Sequence, residues 1–268
     1  MRTCLNLVTL QRGLDPIVGI KAAAEAGFQG VGLWADALEA YVEKHGSIVD
    51  VVAALADTGI QAEEICYAAG YMWPESEAAR KAALDDADRK AEFAAAVGAP
   101  CVIACAAGTE GDLDVAAADL RVVADVMGEL GVVAALEYIG MFPQIKDLKT
   151  GLDVVRRAQH PNAKLLIDIF HSFRGGTAVE DFALPQGDEV ALVHINDVPV
   201  GDILAMGDDA RVLPGKGVLP LKQALSSLAA NGYTGALSVE IFSEYWWAQP
   251  VDVTAKAAYE ALSAVMAD

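Results

Sequence analysis

Eight times along the chain, a short apolar run rich in Val, Ile and Leu is followed by a longer Ala-rich amphipathic run, often with a glycine at the junction. That alternation limits the fold more than any other feature, because strands separated by helices pair in parallel through helical crossovers. The strand-like runs lie at 3–8, 30–35, 60–66, 101–107, 132–139, 164–171, 190–197 and 236–242. Helix candidates occupy 15–26, 47–58, 76–97, 114–130, 147–159, 178–184, 220–231 and 251–266, the 178–184 stretch being short and weak. Several strand runs are apolar throughout, as in a parallel sheet covered by helices. Asp15-Pro16, Ser47 and Ser76 stand where helices should open, and Gly27, Gly59, Gly98, Gly131 and Gly232 where they should close.

Eight strand-plus-helix units in 268 residues predict an α/β fold, a single (β/α)8 TIM barrel over 1–268. An open doubly wound sheet fits less well. Its G-x-G-x-x-G phosphate loop should follow the first strand, where the chain has Val8, Thr9, Leu10, Gln11, Arg12 and Gly13. No linker divides the chain. The longest aperiodic stretch, 198–219, is a loop of the length that usually carries function in a compact domain.

Asp and Glu number 38 against 19 Lys and Arg, a net charge of −19. Such a surface repels phosphodiester backbones and anionic headgroups, so no nucleic acid and no membrane is expected as a partner. The first residues lack a basic start followed by a long apolar run, and Cys4, Cys66, Cys101 and Cys105 sit in or beside apolar runs without zinc-type spacing. A cytoplasmic location with reduced, core-packed cysteines is expected.

In a barrel the chemistry lies where the carboxyl ends of the strands meet their loops. Each of the last four strand runs delivers one titratable residue there, flanked by apolar neighbours: Glu137, Asp168, His194 and Glu240. Buried carboxylates must be paired, protonated or bound to a cation, and the strands offer no Lys or Arg past their opening residues. Three carboxylates and one imidazole make an oxygen-rich site suited to one divalent ion, Mn²⁺, Mg²⁺ or Co²⁺, with Zn²⁺ as the further option.

These residues, with Asp168 and His171 as D-x-x-H, His194 in a His-Ile-Asn-Asp-Val-Pro run, Arg211 heading Arg-Val-Leu-Pro-Gly-Lys-Gly, and spacings of 31, 26 and 46 between successive candidates, carry a family likeness. The whole chain resembles the sugar phosphate isomerase/epimerase superfamily of xylose isomerase-like TIM barrels, and its spacing is similar to the inosose isomerase-like branch. The resemblance implies that Glu137, Asp168, His194 and Glu240 bind one divalent metal and that the two glutamates also serve as acid and base. It further implies that His171 and Arg211 contact the substrate. The expected activity is isomerisation or epimerisation of a small polyhydroxylated ketone, such as an inosose or ketose, through an enediolate. The alternative is a dehydratase of an inosose or dehydroshikimate type. The DNA-repair branch is disfavoured by the −19 charge.

Glu64 sits near the end of the third strand run and is a candidate substrate contact, while its neighbour Glu63, on the opposite face, should be solvated. Trp34, Trp73, Trp246 and Trp247 follow strand runs, where indoles stack on sugars; Tyr245-Trp246-Trp247 reads equally as a homodimer contact. Cations suited to a phosphate are few, namely Arg12, Arg174, Arg211 and Lys216, which favours an unphosphorylated ligand.

Overall fold

The computed structural model describes residues 1–267. Among these, eight strands pair in sequence order, all parallel: β1 (Arg2–Asn6), β2 (Gly30–Trp34), β3 (Gln61–Ala68), β4 (Cys101–Cys105), β5 (Val133–Glu137), β6 (Ala163–Asp168), β7 (Val190–Ile195) and β8 (Ala236–Val239). β8 pairs with β1 and closes the barrel, as expected from the eightfold alternation. The helices around it are α1 (Pro16–Ala26), α2 (Ala35–His45), α3 (Val49–Thr58), α4 (Glu77–Val97), α5 (Leu113–Gly128), α6 (Leu148–Ala158), α7 (Ile169–Gly175), α8 (Leu221–Ala230), α9 (Glu244–Trp247) and α10 (Val251–Met266). None of them is long and apolar enough to cross a membrane.

Side chains alternate between the two faces of each strand. Outward residues pack under the helices into the main core, while Cys4, Cys101, Ile103, Ala135, Leu166, Leu192 and Ala236 fill the lower interior. Two residues further along the same strands come Glu137, Asp168, His194 and Ser238, with Glu240 two beyond Ser238. The polar layer thus rests on an apolar plug, which fixes its height in the barrel.

Local chemistry sets the helix ends. Asp15 caps α1 ahead of Pro16, Ser76 caps α4, and Gly27, Gly59 and Gly98 end α1, α3 and α4 in the left-handed conformation.

Four expectations are corrected. Helix α2 has no counterpart in the sequence reading, because only Ala35, Leu38 and Tyr41 along it are buried and so narrow a stripe leaves a weak period. The sixth strand stops at Asp168 rather than 171. There the Asp168 carboxylate accepts the His171 backbone N–H at 2.8 Å, caps α7 and turns the chain out of the sheet. The 178–184 segment is a 3-10 turn (Val179–Ala183) that buries Phe182 alone. Glu63 is buried rather than solvated: Arg2 donates to both its oxygens at 2.9 and 2.8 Å, and a Cβ at Gly30 would collide with its side chain.

Candidate metal centre

Glu137 ends β5, Asp168 ends β6, His194 is the penultimate residue of β7, and Glu240 lies just past β8. All four are buried, and one ligand atom from each lies within 4.8 Å of the others. His194 is the pivot of the cluster. Its Nε2 is 2.7 Å from Glu64 Oε2, while Nδ1 stands 3.1 Å from Glu240, 3.5 Å from Glu137 and 3.8 Å from Asp168. Although Nδ1 is buried among these oxygens, it makes no hydrogen bond. An imidazole tethered by one nitrogen, with the other facing three carboxylates, fits a divalent cation with one nitrogen and three oxygen donors.

Arg211 reaches the cluster from the long loop after β7. Its Nη1 donates to Glu240 Oε2 at 2.7 Å and lies 3.2 Å from Asp168 Oδ2; its Nη2 donates to Asp208 at 2.7 Å and to His171 Nε2 at 3.0 Å. The guanidinium lies over two rings, Phe170 at 4.9 Å and Phe242 at 5.2 Å. Because Arg211 only donates, His171 Nε2 is an acceptor and its proton sits on Nδ1, a buried atom with no partner. Burial and the adjacent Arg211 push the His171 pKa down to about 3, so the ring is neutral.

The two glutamates diverge in the metal-free protein. Burial pushes Glu137 up to about 7, against the pull of His194. Burial acts on Glu240 in the same sense, but His194 and Arg211 outweigh it and bring Glu240 down to about 2. The other oxygen of Glu240 accepts from Asn6 at 3.1 Å. One carboxyl is therefore poised near neutrality while its neighbour is held ionised.

Glu64 differs from its expected place at the mouth. It is fully enclosed beneath the cluster, where Ser238 donates to it at 2.7 Å and Asn6 at 3.3 Å, in addition to His194. Four polar residues were missed by the sequence reading: Ser238, which donates to Glu64, and Asn6, Asn196 and Asp197. Asn6 joins Glu240 to the Trp34 indole, which donates to it at 2.6 Å. Asn196 donates to Asp168 at 3.1 Å and accepts the Phe170 N–H at 2.8 Å. Asp197 accepts the backbone N–H groups of Val198, Gly215, Gly217 and Leu219 at 2.9–3.1 Å, pinning the loop that carries Arg211. Asn196 and Asp197 lie within the His194 motif, where the run of polar residues after an apolar strand was the available signal.

Aromatic side chains rim the cluster. Trp34 stands edge-on to Tyr67 and Phe242, and Arg12 lies over Phe242 at 5.4 Å and Trp247 at 5.0 Å. Trp73 packs instead against Gly111, its indole donating to the Asp112 carbonyl, and Trp246 packs into the core. Asp36, Glu39, Asp208, Asp209 and Glu244 line the hollows beside Arg12.

Fold and site together define a closed (β/α)8 barrel with one carboxylate-rich, imidazole-bearing cluster at the carboxyl end of its strands. Residues 20–265 match the family model described as xylose isomerase-like TIM barrel, and the chain belongs to that family. It is 29% identical to a 3-dehydroshikimate dehydratase of Pseudomonas putida over 86% of this chain but only 36% of that protein. It is 30% identical to an inosose isomerase of Bacillus velezensis over 55% of this chain and 53% of the other. The chain thus spans about a third to a half of the length of these curated relatives. In structure it superposes on the IolI protein with a bound zinc atom at TM-score 0.92, with 20% identity, over 100% of this chain and 98% of that one, a likeness of fold. The relatives matched in this superfamily are named as isomerases, epimerases and dehydratases.

Proposed function

We propose that this protein is a divalent-metal-dependent isomerase or epimerase of a small polyhydroxylated ketone, working by proton abstraction next to the carbonyl. The observation that carries the reading is the His194 Nδ1 atom, unbonded and facing Glu137, Asp168 and Glu240. A cation held by these four residues would polarise the carbonyl and stabilise the enediolate charge.

The chain's own groups supply the rest. Glu137, a carboxylate when it holds the cation, takes the proton from the carbon beside the carbonyl as general base. Glu240 comes from a non-adjacent strand. Return of the proton by Glu137 to the neighbouring carbon gives an aldose–ketose isomer; for an epimer the opposite face takes a proton from a solvent water oriented by the ionised Glu240, while Glu137 releases to solvent the proton it removed. Arg211 holds Glu240 ionised and in place, and the unpartnered N–H groups at His171 Nδ1 and Arg211 Nε supply donors for substrate oxygens. Trp34, Phe242 and Trp247 offer apolar faces to the C–H side of a sugar-like ring. The acidic residues around the mouth favour an uncharged ligand over a phosphate ester.

The second reading is a dehydratase, in which the same proton abstraction is followed by loss of a β-hydroxyl. It is favoured by the match to 3-dehydroshikimate dehydratases across 86% and 88% of this chain. Turnover of inososes, ketoses and 3-dehydroshikimate with Mn²⁺, Mg²⁺, Co²⁺ or Zn²⁺ separates the two. Products of unchanged mass support the isomerase or epimerase, and an ultraviolet-absorbing product lighter by one water establishes the dehydratase. Metal-loaded protein that converts none of these ketones would overturn both.

A further inference from the structure

Glu64 is a fully enclosed carboxylate beside the cluster, and no step of the proposed reaction uses it. It lies in β3, with Gly32 of β2 as its register partner, while His194 and Ser238 are register partners across β7 and β8. Hydrogen bonds across the barrel interior join the two pairs. Glu64 Oε1 accepts from Ser238 at 2.7 Å and Asn6 at 3.3 Å, and Oε2 faces His194 Nε2 at 2.7 Å. Three donors converge on one buried side chain, a set that suits an ionised acceptor-only carboxylate.

Gly32 supplies an independent observation. A Cβ there would overlap the Glu64 carboxylate, its nearest neighbours being the carboxylate oxygen and carbons of Glu64 itself. Any residue larger than glycine at position 32 must displace Glu64 from beneath His194. The Gly-Val-Gly run of β2 therefore makes room for both buried glutamates of β3, Gly30 for Glu63 and Gly32 for Glu64.

We infer that Glu64, cradled by Gly32 and fixed by Ser238 and Asn6, is a positioning residue for the metal centre. It keeps the proton of His194 on Nε2 and aims Nδ1 at Glu137, Asp168 and Glu240. A histidine free to rotate or change tautomer would present its N–H to the cluster in place of a lone pair. The Glu64 bond removes that alternative, and its negative charge makes Nδ1 a stronger donor to a cation. This inference rests on the reading of the cluster as a metal centre.

The test combines Zn²⁺ and Mn²⁺ affinity, by competition with a chelator, with ¹⁵N NMR of the zinc-loaded protein. Wild type should bind one ion per chain and show a His194 Nε2 proton protected from solvent exchange. Glu64→Gln and Glu64→Ala should each weaken metal binding about 10–100-fold, Gly32→Ala should act in the same direction, and the protected Nε2 proton should exchange freely in Glu64→Ala. If Glu64→Ala does not fold, the isosteric Glu64→Gln and the milder Ser238→Ala decide, the latter with a smaller loss in the same direction. Wild-type affinity and wild-type Nε2 exchange in the Glu64 variants would overturn the inference while leaving the centre intact. A wild-type protein that binds no divalent ion would instead overturn the centre itself.

Discussion

The Arg211 guanidinium donates at 2.7 Å to the same Glu240 oxygen that stands 3.1 Å from His194 Nδ1. One carboxylate is thus shared between a permanent cation and the place where a second would sit. Arg211 lies on a loop, not a strand, and two phenylalanine rings and the Asp197-pinned backbone hold it there.

Removing that cation leaves Asp168 and Glu240 with uncompensated buried charge. For Arg211→Met the expected cost is about 3–5 kcal/mol, as for other broken buried pairs, which for a chain of this size lowers Tm by roughly 6–20 °C. Differential scanning calorimetry of the metal-free protein checks it. A Tm within a degree or two of wild type would mean that solvent already neutralises the site.

Replacing either glutamate removes a proton-handling group without changing its shape. Glu137→Gln and Glu240→Gln are each expected to cut kcat about 10²–10⁴-fold. Steady-state kinetics on whichever ketone proves to be turned over reads the effect. Wild-type kcat in Glu137→Gln would remove that residue from the chemistry.

The metal-free protein should respond to pH through Glu137. Its carboxyl titrates at about 7 when folded against an ordinary value of 4.5, so folding takes up a proton between those limits. The stability this group contributes is full below pH 4.5 and is lost as pH rises through 7. Glu240, brought down to about 2, has the opposite sign: its contribution is present above pH 4.5 and lost as pH falls toward 2. With a chelator present, Tm of wild type should therefore fall more steeply from pH 5 to 7.5 than that of Glu137→Gln. Saturating divalent cation, which binds the ionised form, should flatten the slope. Parallel Tm profiles for the two metal-free proteins would contradict this assignment.

One carboxylate, Asp197, ties the loop carrying Arg211 at several points. In Asp197→Ala, four backbone N–H groups between Val198 and Leu219 lose their acceptor. Hydrogen exchange at Gly215, Gly217 and Leu219 should accelerate, and kcat should fall as Arg211 loses its position, a misplacement of the kind that costs on the order of 10²-fold. Unchanged exchange at these amides would show that other contacts hold the loop.

The barrel is legible in the sequence because the eight alternations are local, each strand and helix announcing itself within about ten residues. The four cluster residues are legible for a related reason: each is a titratable side chain inside an apolar strand run, where burial without a partner is costly. Helix α2 is not, since it buries one narrow stripe of three residues. Nor is the role of Glu64. Its partners Asn6, Ser238 and His194 lie 58, 174 and 130 residues away in sequence, and only closure of the barrel brings them together. The end of β6 at Asp168 escapes the apolar pattern because a side-chain cap, not a change of hydrophobic period, turns the chain into α7.

The most direct test of the account is anomalous diffraction from crystals soaked in Mn²⁺ or Zn²⁺. One peak per chain is predicted between Glu137, Asp168, His194 and Glu240, for zinc about 2.0–2.1 Å from His194 Nδ1, with Nε2 still bonded to Glu64. A saturated crystal with no peak among these four residues, or with its peak elsewhere in the barrel, would contradict it.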